Sequence, residues 1–179
     1  ILVPVFLKEI NTNTKIGYLI NKKNTIEAEY SFFDDKRGTG VKVFEDDGAF
    51  SSHLTHKTLL RYSAFNDTSK WNIIAFYSSE FYPRMYEYMN EGEYSLYLAD
   101  SKREDKGFNF DYSFNKYKNH NISSGINFRA GSVNGADIYF TSTDKVLNAG
   151  KIDNLAFYLQ DEIKLLSDNL SFNAGLRYD

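Results

Sequence analysis

The stretch Leu170-Ser171-Phe172-Asn173-Ala174-Gly175-Leu176-Arg177-Tyr178-Asp179 decides the fold class. Apolar residues stand at every second position, and polar residues or glycine stand between them. This period of two is typical of a β-strand with one apolar and one polar face, because successive side chains of a strand point to opposite sides. Residues 155–165 alternate in the same way, so the two segments predict a hairpin with its turn at 166–168.

Alternating segments recur along the chain, and two kinds of connection separate them. Some connections are short and rich in Asn, Asp and Ser, which tolerate turn geometry; they cover 21–24, 66–70, 115–119 and 166–168. The others are long, at 34–54, 83–92 with a possible extension to 106, and 131–153. Eight strands are predicted, near 14–20, 24–34, 55–66, 70–82, 105–115, 119–130, 154–165 and 169–179. Residues 93–101 either extend the fifth strand or form a loop ribbon.

The composition excludes several classes of protein. A chain of 179 residues suggests one domain, and 21 Lys plus Arg against 24 Asp plus Glu lacks the basic excess of a nucleic-acid binder. Without cysteine there is no disulfide scaffold, thiolate zinc site or iron–sulfur cluster. The longest apolar run, residues 1–7, is too short for a membrane-spanning helix. What remains unusual is an aromatic content of 17% in a hydrophilic chain.

Two architectures fit two-faced strands. In a β-sandwich the apolar faces pack between two sheets, whereas in a transmembrane barrel they meet lipid and the polar faces line a lumen. Short turns at one end, long connections at the other and very hydrophilic polar faces, such as that of Glu27 and Glu29, favour the barrel. Aromatic residues near strand ends are typical of interfacial girdles; the candidates are Tyr77, Phe81 and Tyr82 beside Pro83. We therefore predict an all-β, antiparallel transmembrane β-barrel segment.

Two stretches resemble a known family. The hairpin of residues 156–162 and 169–179, with its Gln160-Asp161-Glu162 and terminal Gly175-Leu176-Arg177-Tyr178-Asp179, resembles one found in TonB-dependent outer-membrane receptors. Residues 15–40 look like an early barrel hairpin of that family, and residues 107–129 fit its middle hairpins in pattern. The resemblance implies a barrel of about 22 strands with a plugged lumen, in the outer membrane of a Gram-negative bacterium. It also implies TonB-driven uptake of a ferric siderophore, haem, cobalamin or similar nutrient.

We expect residues 1–179 to be an internal part of such a barrel domain, without its plug, because the chain starts at Ile1 and the strand pattern runs to Asp179. Such an open sheet is expected not to fold alone as a stable monomer, since its edges are unpaired. Two alternatives stay open. One is a complete eight-stranded outer-membrane barrel with a structural or adhesion role, whose first and last strands must pair. The other is a soluble β-sandwich that acts as a binding module.

The segment after Pro83 is the most distinctive connection. Arginine and tyrosine are favoured at recognition surfaces, and a cationic, aromatic loop suits an anionic iron chelate or a large flat ligand. An equally acceptable interpretation is that these aromatic side chains pack on their neighbours or lie at the lipid interface. The predicted ligand-binding residues of the extracellular loop are Arg84, Tyr86, Tyr88, Tyr94 and Tyr97. The residues predicted to face the lumen and the plug are Arg129, Arg177 and Asp179, of which Arg177 and Asp179 are also placed to form an ion pair.

No enzyme, metal or cofactor site is predicted. His53 and His56, three apart on a strand, face opposite sides and make poor joint ligands, and the third histidine, His120, lies at a turn. Glu27 and Glu29 are interpreted as a solvated wall rather than an acid–base pair. Four further acidic or amide side chains lack the spacing of a calcium loop: Asp137, Asp144, Asn148 and Asp153.

Overall fold

The computed structural model describes residues 5–165 and 169–179. They form strands and connections, and no helix long and apolar enough to cross a membrane occurs among them. The strands are β1 Leu7–Asn21, β2 Asn24–Gly38, β3 Phe50–Phe65, β4 Ser69–Phe81, β5 Arg84–Asn90, β6 Glu93–Phe114, β7 His120–Tyr139, β8 Lys145–Leu165 and β9 Leu170–Tyr178.

All strands belong to one antiparallel sheet in the order β1-β2-β3-β4-β6-β7-β8-β9, with β5 beside β3 and β6. Strands β4 and β5 are two parts of one strand, since the pairs Phe81–Lys102 and Arg84–Ala99 continue a single register along β6. The interruption falls at Pro83, which has no N–H to donate to the ladder. All eight predicted strands are present, and the structure adds β5, which continues the fourth one beyond this proline where a loop was expected.

The described residues form neither of the two alternative architectures. They form a single sheet, so no second sheet covers its apolar face as a sandwich requires. The buried apolar residues are all alanines, whereas large apolar side chains such as Leu60, Phe108 and Leu159 are exposed. β1 and β9 do not pair with each other within the described part of the chain, as a closed eight-stranded barrel requires.

The connections at the two ends differ as predicted, but the long ones contain more strand than expected. At one end, the short-turn end, two residues join β1 to β2 and three join β3 to β4. At the opposite end, the long-connection end, residues 39–49 form a loop between β2 and β3. The segments 83–92 and 131–153, expected as loops, are mostly strand, and residues 93–101 extend the following strand, which is one of the two outcomes expected for them. Strands β5, β6, β7 and β8 therefore continue beyond the predicted membrane region. The predicted turn at 166–168 lies outside the described residues.

The register divides every strand into the two predicted faces. On the apolar face, neighbours across four strands include Tyr62, Ile73, Phe110 and Ile126. All six arginines lie on the polar face, because alternation and the continuous register place them there; they are Arg37, Arg61, Arg84, Arg103, Arg129 and Arg177.

Aromatic side chains mark both ends of the apolar face. Near the short-turn end the rings of Trp71 and Tyr112 lie 5.7 Å apart. Toward the other end the hydroxyl of Tyr30 is hydrogen-bonded to Nδ1 of His56 at 2.8 Å. Tyr77 and Phe81 also lie on this face and are exposed. The girdle prediction is wrong for Tyr82, because it stands one residue beyond Phe81 and so points to the polar face.

Candidate ligand-binding surface

Five ring side chains and one arginine form a row on the polar face of the long-connection end, and the row crosses β3, the break between β4 and β5, β5, β6 and β7. It arises because register partners stand side by side on one face, as Tyr86, Tyr97 and Tyr139 do on β5, β6 and β7. The pairing of β4 with β3 and with β6 contains no bulge. The same side-by-side alignment therefore continues to the break between β4 and β5 and to β3. We call this set the aromatic row: His53, Tyr82, Arg84, Tyr86, Tyr97 and Tyr139.

Neighbouring members of the aromatic row are stacked on one another. The rings of His53 and Tyr82 are 3.8 Å apart and nearly parallel. Tyr97 lies between Tyr86, at 4.7 Å, and Tyr139, at 4.9 Å, and both pairs are stacked. The ring faces inside the row are thus occupied by other rings of the protein. Tyr88 meets Tyr97 edge-on at 6.5 Å and is itself exposed.

Arg84 links the two halves of the row. Its guanidinium carbon lies 4.9 Å from the ring centre of Tyr82 and 5.6 Å from that of Tyr86, which is cation–π geometry. Four other arginines each have a carboxylate partner within 4.0 Å. Arg84 has no such partner among the described residues, and its buried Nε makes no hydrogen bond. Its positive charge is therefore stabilised by rings rather than by a carboxylate.

A buried carboxylate anchors the β3 end of the row. Asp35 accepts hydrogen bonds from the backbone N–H of His53 and from Arg37, and its Oδ1 lies 3.0 Å from Nδ1 of His53. Burial raises the pKa of Asp35, but the hydrogen bonds from Arg37 and His53 lower it more, so the net pKa is below its ordinary value. Asp35 is thus ionised at neutral pH and fixes the His53 ring against Tyr82.

Of the five predicted ligand-binding residues, Tyr94 lies apart from the others. Arg84, Tyr86 and Tyr97 belong to the aromatic row and Tyr88 contacts it, whereas Tyr94 points to the opposite face of β6. There its ring meets Phe44 at 4.8 Å, and its hydroxyl donates to Oε1 of Glu87 at 3.2 Å. The structure therefore brings four of the five together and places the fifth in a separate contact.

That separate contact fastens the loop 39–49 to the back of the β5–β6 hairpin. Glu87 is only 2% exposed, and its Oε1 accepts the backbone N–H groups of Phe44 and, at 2.7 Å, of Glu45. Burial raises the pKa of Glu87, but these backbone hydrogen bonds lower it more, so the net pKa lies below the ordinary value. Burial and the neighbouring carboxylate together raise the pKa of Tyr94 to about 12. We call this contact the Glu87 clamp.

The three predicted lumen residues lie lower on the same polar face. Arg129 forms a two-pronged ion pair with Asp105, with Nε–O and Nη2–O distances of 2.9 and 2.7 Å. Arg177 pairs with Asp179 at 2.7 Å and also donates to Asn127 at 3.3 Å. Between Arg129 and the long-connection end, an open recess of about 500 Å³ is lined by residues of β4, β6, β7 and β8, among them Arg103, Gly131 and Gly150.

A chain of side-chain hydrogen bonds crosses the sheet near the short-turn end. It was not predicted from the sequence. Tyr158 donates to Oδ1 of Asp111 at 2.7 Å, Asn72 donates to the other oxygen at 3.4 Å, and Ser63 donates to Asn72 at 3.2 Å. Each of these residues was visible as a polar-face position, but their mutual contacts depend on the relative register of four strands. This register is not readable from single-strand periodicity.

The polar wall nearest β1 has the expected solvated character. Glu27 pairs with Lys15 and Arg61, both at 3.2 Å, and Glu29 accepts a hydrogen bond from Asn13 at 3.3 Å. The described residues contain no cluster of three or more metal-ligating side chains. His53 and His56 face opposite sides, as expected on a strand, and His120 pairs with Asp161 at 2.7 Å near a turn.

Comparison with known proteins gives one finding. The family model described as TonB dependent receptor-like, beta-barrel matches residues 8–179, which is nearly the whole chain. No curated protein matches the chain.

Proposed function

Because the chain belongs to the TonB-dependent receptor β-barrel family, whose members are outer-membrane receptors and transporters rather than enzymes, we propose that it captures a scarce nutrient at the cell surface. The ligand classes considered are a ferric siderophore, haem and cobalamin. The cell is a Gram-negative bacterium, and TonB acts through a plug domain that is not among residues 1–179.

The two faces of the sheet indicate how the barrel is oriented in the outer membrane. The face that carries large exposed apolar side chains meets outer-membrane lipid, and the face that carries all six arginines lines the lumen. Lipid would strongly disfavour a charged side chain at the bilayer centre, and this explains why no arginine is found on the apolar face. The short-turn end is then periplasmic and the long-connection end extracellular.

The aromatic row is the proposed capture surface, and the observation that carries this proposal is that Arg84 has no carboxylate partner among the described residues. The row lies on the lumen-side face at the extracellular end, where an incoming ligand first meets the barrel. An arginine that is held by rings and lacks a carboxylate partner keeps its charge available to a ligand. The proposed ligand-binding residues are Arg84, Tyr86, Tyr88 and Tyr97, together with His53, Tyr82 and Tyr139; Tyr94 is not included because it lies on the other face.

The lumen residues are assigned a second role. Arg129, Arg177 and Asp179 are proposed to contact the plug, since their ion pairs project from the polar wall below the aromatic row. Both arginines keep more than half of their side-chain surface exposed in the open sheet. A plug that fills the lumen would therefore find hydrogen-bond donors on this wall.

Nutrient uptake by cells that produce the whole receptor tests the proposal. Arg84→Ala should reduce uptake at limiting nutrient by about tenfold or more, the effect of losing one charge-assisted interaction. The matched control is Lys145→Ala, which removes an exposed positive charge from the opposite face of the same end. Equal uptake by wild type and the Arg84 variant, with equal amounts of receptor in the outer membrane, would remove the row from the capture site.

A further inference from the structure

We infer that the aromatic row recognises an anionic, oxygen-rich ligand through hydrogen-bond donors at its edge, and that it does not bind a flat ligand by ring stacking. This inference rests on the proposed function and names the chemical class of ligand for the same surface. The cationic, aromatic composition of this surface fits both an anionic iron chelate and a large flat ligand, and the inference distinguishes between the two.

The first argument is that the ring faces are already in contact with one another. Tyr97 is stacked on both sides, by Tyr86 and Tyr139, and Tyr82 lies between the imidazole of His53 and the guanidinium of Arg84. A planar macrocycle that stacked on any of these inner faces would first have to separate a pair of rings. Each such aromatic pair is stabilised beyond its buried area alone, and this stabilisation would be lost.

The second argument is that the row presents donors instead of faces. Within the described residues the hydrogen-bonded tyrosine hydroxyls are those of Tyr30, Tyr62, Tyr94 and Tyr158, so the hydroxyls of the row are not among them. Burial, and to a lesser degree the neighbouring tyrosines, raise the pKa of Tyr97. Its hydroxyl therefore stays protonated at neutral pH and is able to donate.

The third argument is the charge at the centre of the row. Arg84 and Arg103 are the two arginines without a carboxylate partner among the described residues, and both lie on the polar face near this surface. Asp137 is the acidic residue closest in register to Arg84, with Ala99 between them. A guanidinium that lies against two tyrosine rings, whose hydroxyls have no hydrogen-bond partner among the described residues, offers donors to carboxylate or similar oxygens and nothing specific to an uncharged ring.

Binding to the receptor purified from outer membranes in detergent tests this inference. The probes are ferric citrate, which is anionic and oxygen-rich, and cyanocobalamin, whose large ring system carries amide side chains and no net charge. Tyr97→Phe keeps the ring and its stacking but removes the donor, and Arg84→Gln removes the charge but keeps a polar side chain. Each should weaken ferric citrate binding by about tenfold. Tyr77→Phe, on the lipid face, is the matched control and should change nothing.

The outcomes separate the inference from the proposed function. If Tyr97→Phe binds like wild type while Tyr97→Leu loses binding, ring contacts rather than donors hold the ligand and the inference is overturned. Preferential binding of cyanocobalamin, or no binding of ferric citrate, overturns it as well, although loss of nutrient uptake in Arg84→Ala would still support the proposed function. If neither uptake nor binding of either probe responds to any row variant, the proposed capture surface itself is wrong.

Discussion

The phenol ring of Tyr158 on β8 lies directly over Gly125 on β7, in space that any side chain at position 125 would need. A Cβ built on Gly125 would lie 2.6 Å from the Phe110 carbonyl oxygen and 2.7 Å from Cζ of Tyr158, with Cε1 of that ring closer still. The ring bridges across β7 to Asp111 on β6, to which its hydroxyl donates. One aromatic side chain and one missing side chain thereby join three strands on the lumen face.

Gly125→Val is accordingly expected to destabilise the barrel by about 1–3 kcal/mol, because the ring of Tyr158 and the backbone must move apart. The temperature at which the receptor loses its folded migration in a detergent gel measures this. Gly17→Ala is the matched control, since a Cβ there meets only the Glu27 side chain at 3.9 Å. If the valine variant loses its folded migration at the same temperature as wild type, the close contact between Tyr158 and Gly125 does not contribute to stability.

The turn between β5 and β6 provides a prediction about backbone conformation alone. Glu91 and Gly92 both have positive φ, 50° and 87°, as the two central residues of a type I′ hairpin turn do. A Cβ on Gly92 would meet nothing within 4 Å, so substitution is penalised by conformation and not by crowding. Gly92→Ala should cost about 1 kcal/mol, whereas Glu91→Asn should stabilise the turn.

Amide hydrogen exchange over residues 84–99 is the measurement for this turn. Faster exchange in Gly92→Ala and slower exchange in Glu91→Asn are expected, with β1 and β2 unchanged as an internal reference. If both variants exchange like wild type, the turn is not limiting for the order of the hairpin.

Sequence periodicity was sufficient for the strands, since alternation over ten or so residues specifies both the element and its two faces. It failed where strands leave the membrane. The segments 83–92 and 131–153 carry glycines and charges that read as loop, yet pairing across β5, β6, β7 and β8 continues through most of them. Here the ladder between neighbouring strands outweighs weak local β-propensity.

The site was predictable in part for the same reason. Alternation places Arg84, Tyr86 and Tyr88 on one face of a strand, but only the register of β6 against β5 shows that Tyr97 joins them and that Tyr94 does not. His53 and Tyr82 were each noticed, for metal binding and for a girdle, while their stacking depends on contacts between β3 and the break after β4. Relations between strands far apart in sequence are the information that a single pattern lacks.

Variants of the ion pair between Arg129 and Asp105 can show whether it acts in transport or stabilises the barrel. Its side chains are 60% and 29% exposed in the sheet, and exposed pairs contribute at most about 1 kcal/mol to stability. Arg129→Gln should therefore leave the thermal transition of the barrel nearly unchanged and yet lower uptake, if this wall contacts the plug. Lys116→Gln, in the exposed turn between β6 and β7, is the control. A large drop in thermal stability without an uptake defect would assign the pair to the barrel alone.

The Glu87 clamp predicts a pH-dependent fastening of the loop 39–49. Burial and the opposing backbone hydrogen bonds leave the pKa of Glu87 below the ordinary 4.5. A carboxyl group whose folded-state pKa is lowered stabilises the docked loop above about pH 4.5, and this contribution disappears as the pH falls through the folded-state pKa. The loop should thus be protected from proteolysis and hydrogen exchange near neutral pH and should open in acid.

Glu87→Gln should abolish that dependence, because an amide keeps the shape of the side chain but loses the charge that favours the N–H groups of Phe44 and Glu45. Its loop should exchange faster than wild type at about pH 7 and show little further change in acid. Glu93→Gln, an exposed change on the same hairpin, should behave like wild type. Since Glu87 lies between Tyr86 and Tyr88 on β5, a loosened Glu87 clamp should also weaken ligand capture. If hydrogen exchange of the loop is unaltered in Glu87→Gln, the loop is held by the contact of Phe44 with Tyr94 instead.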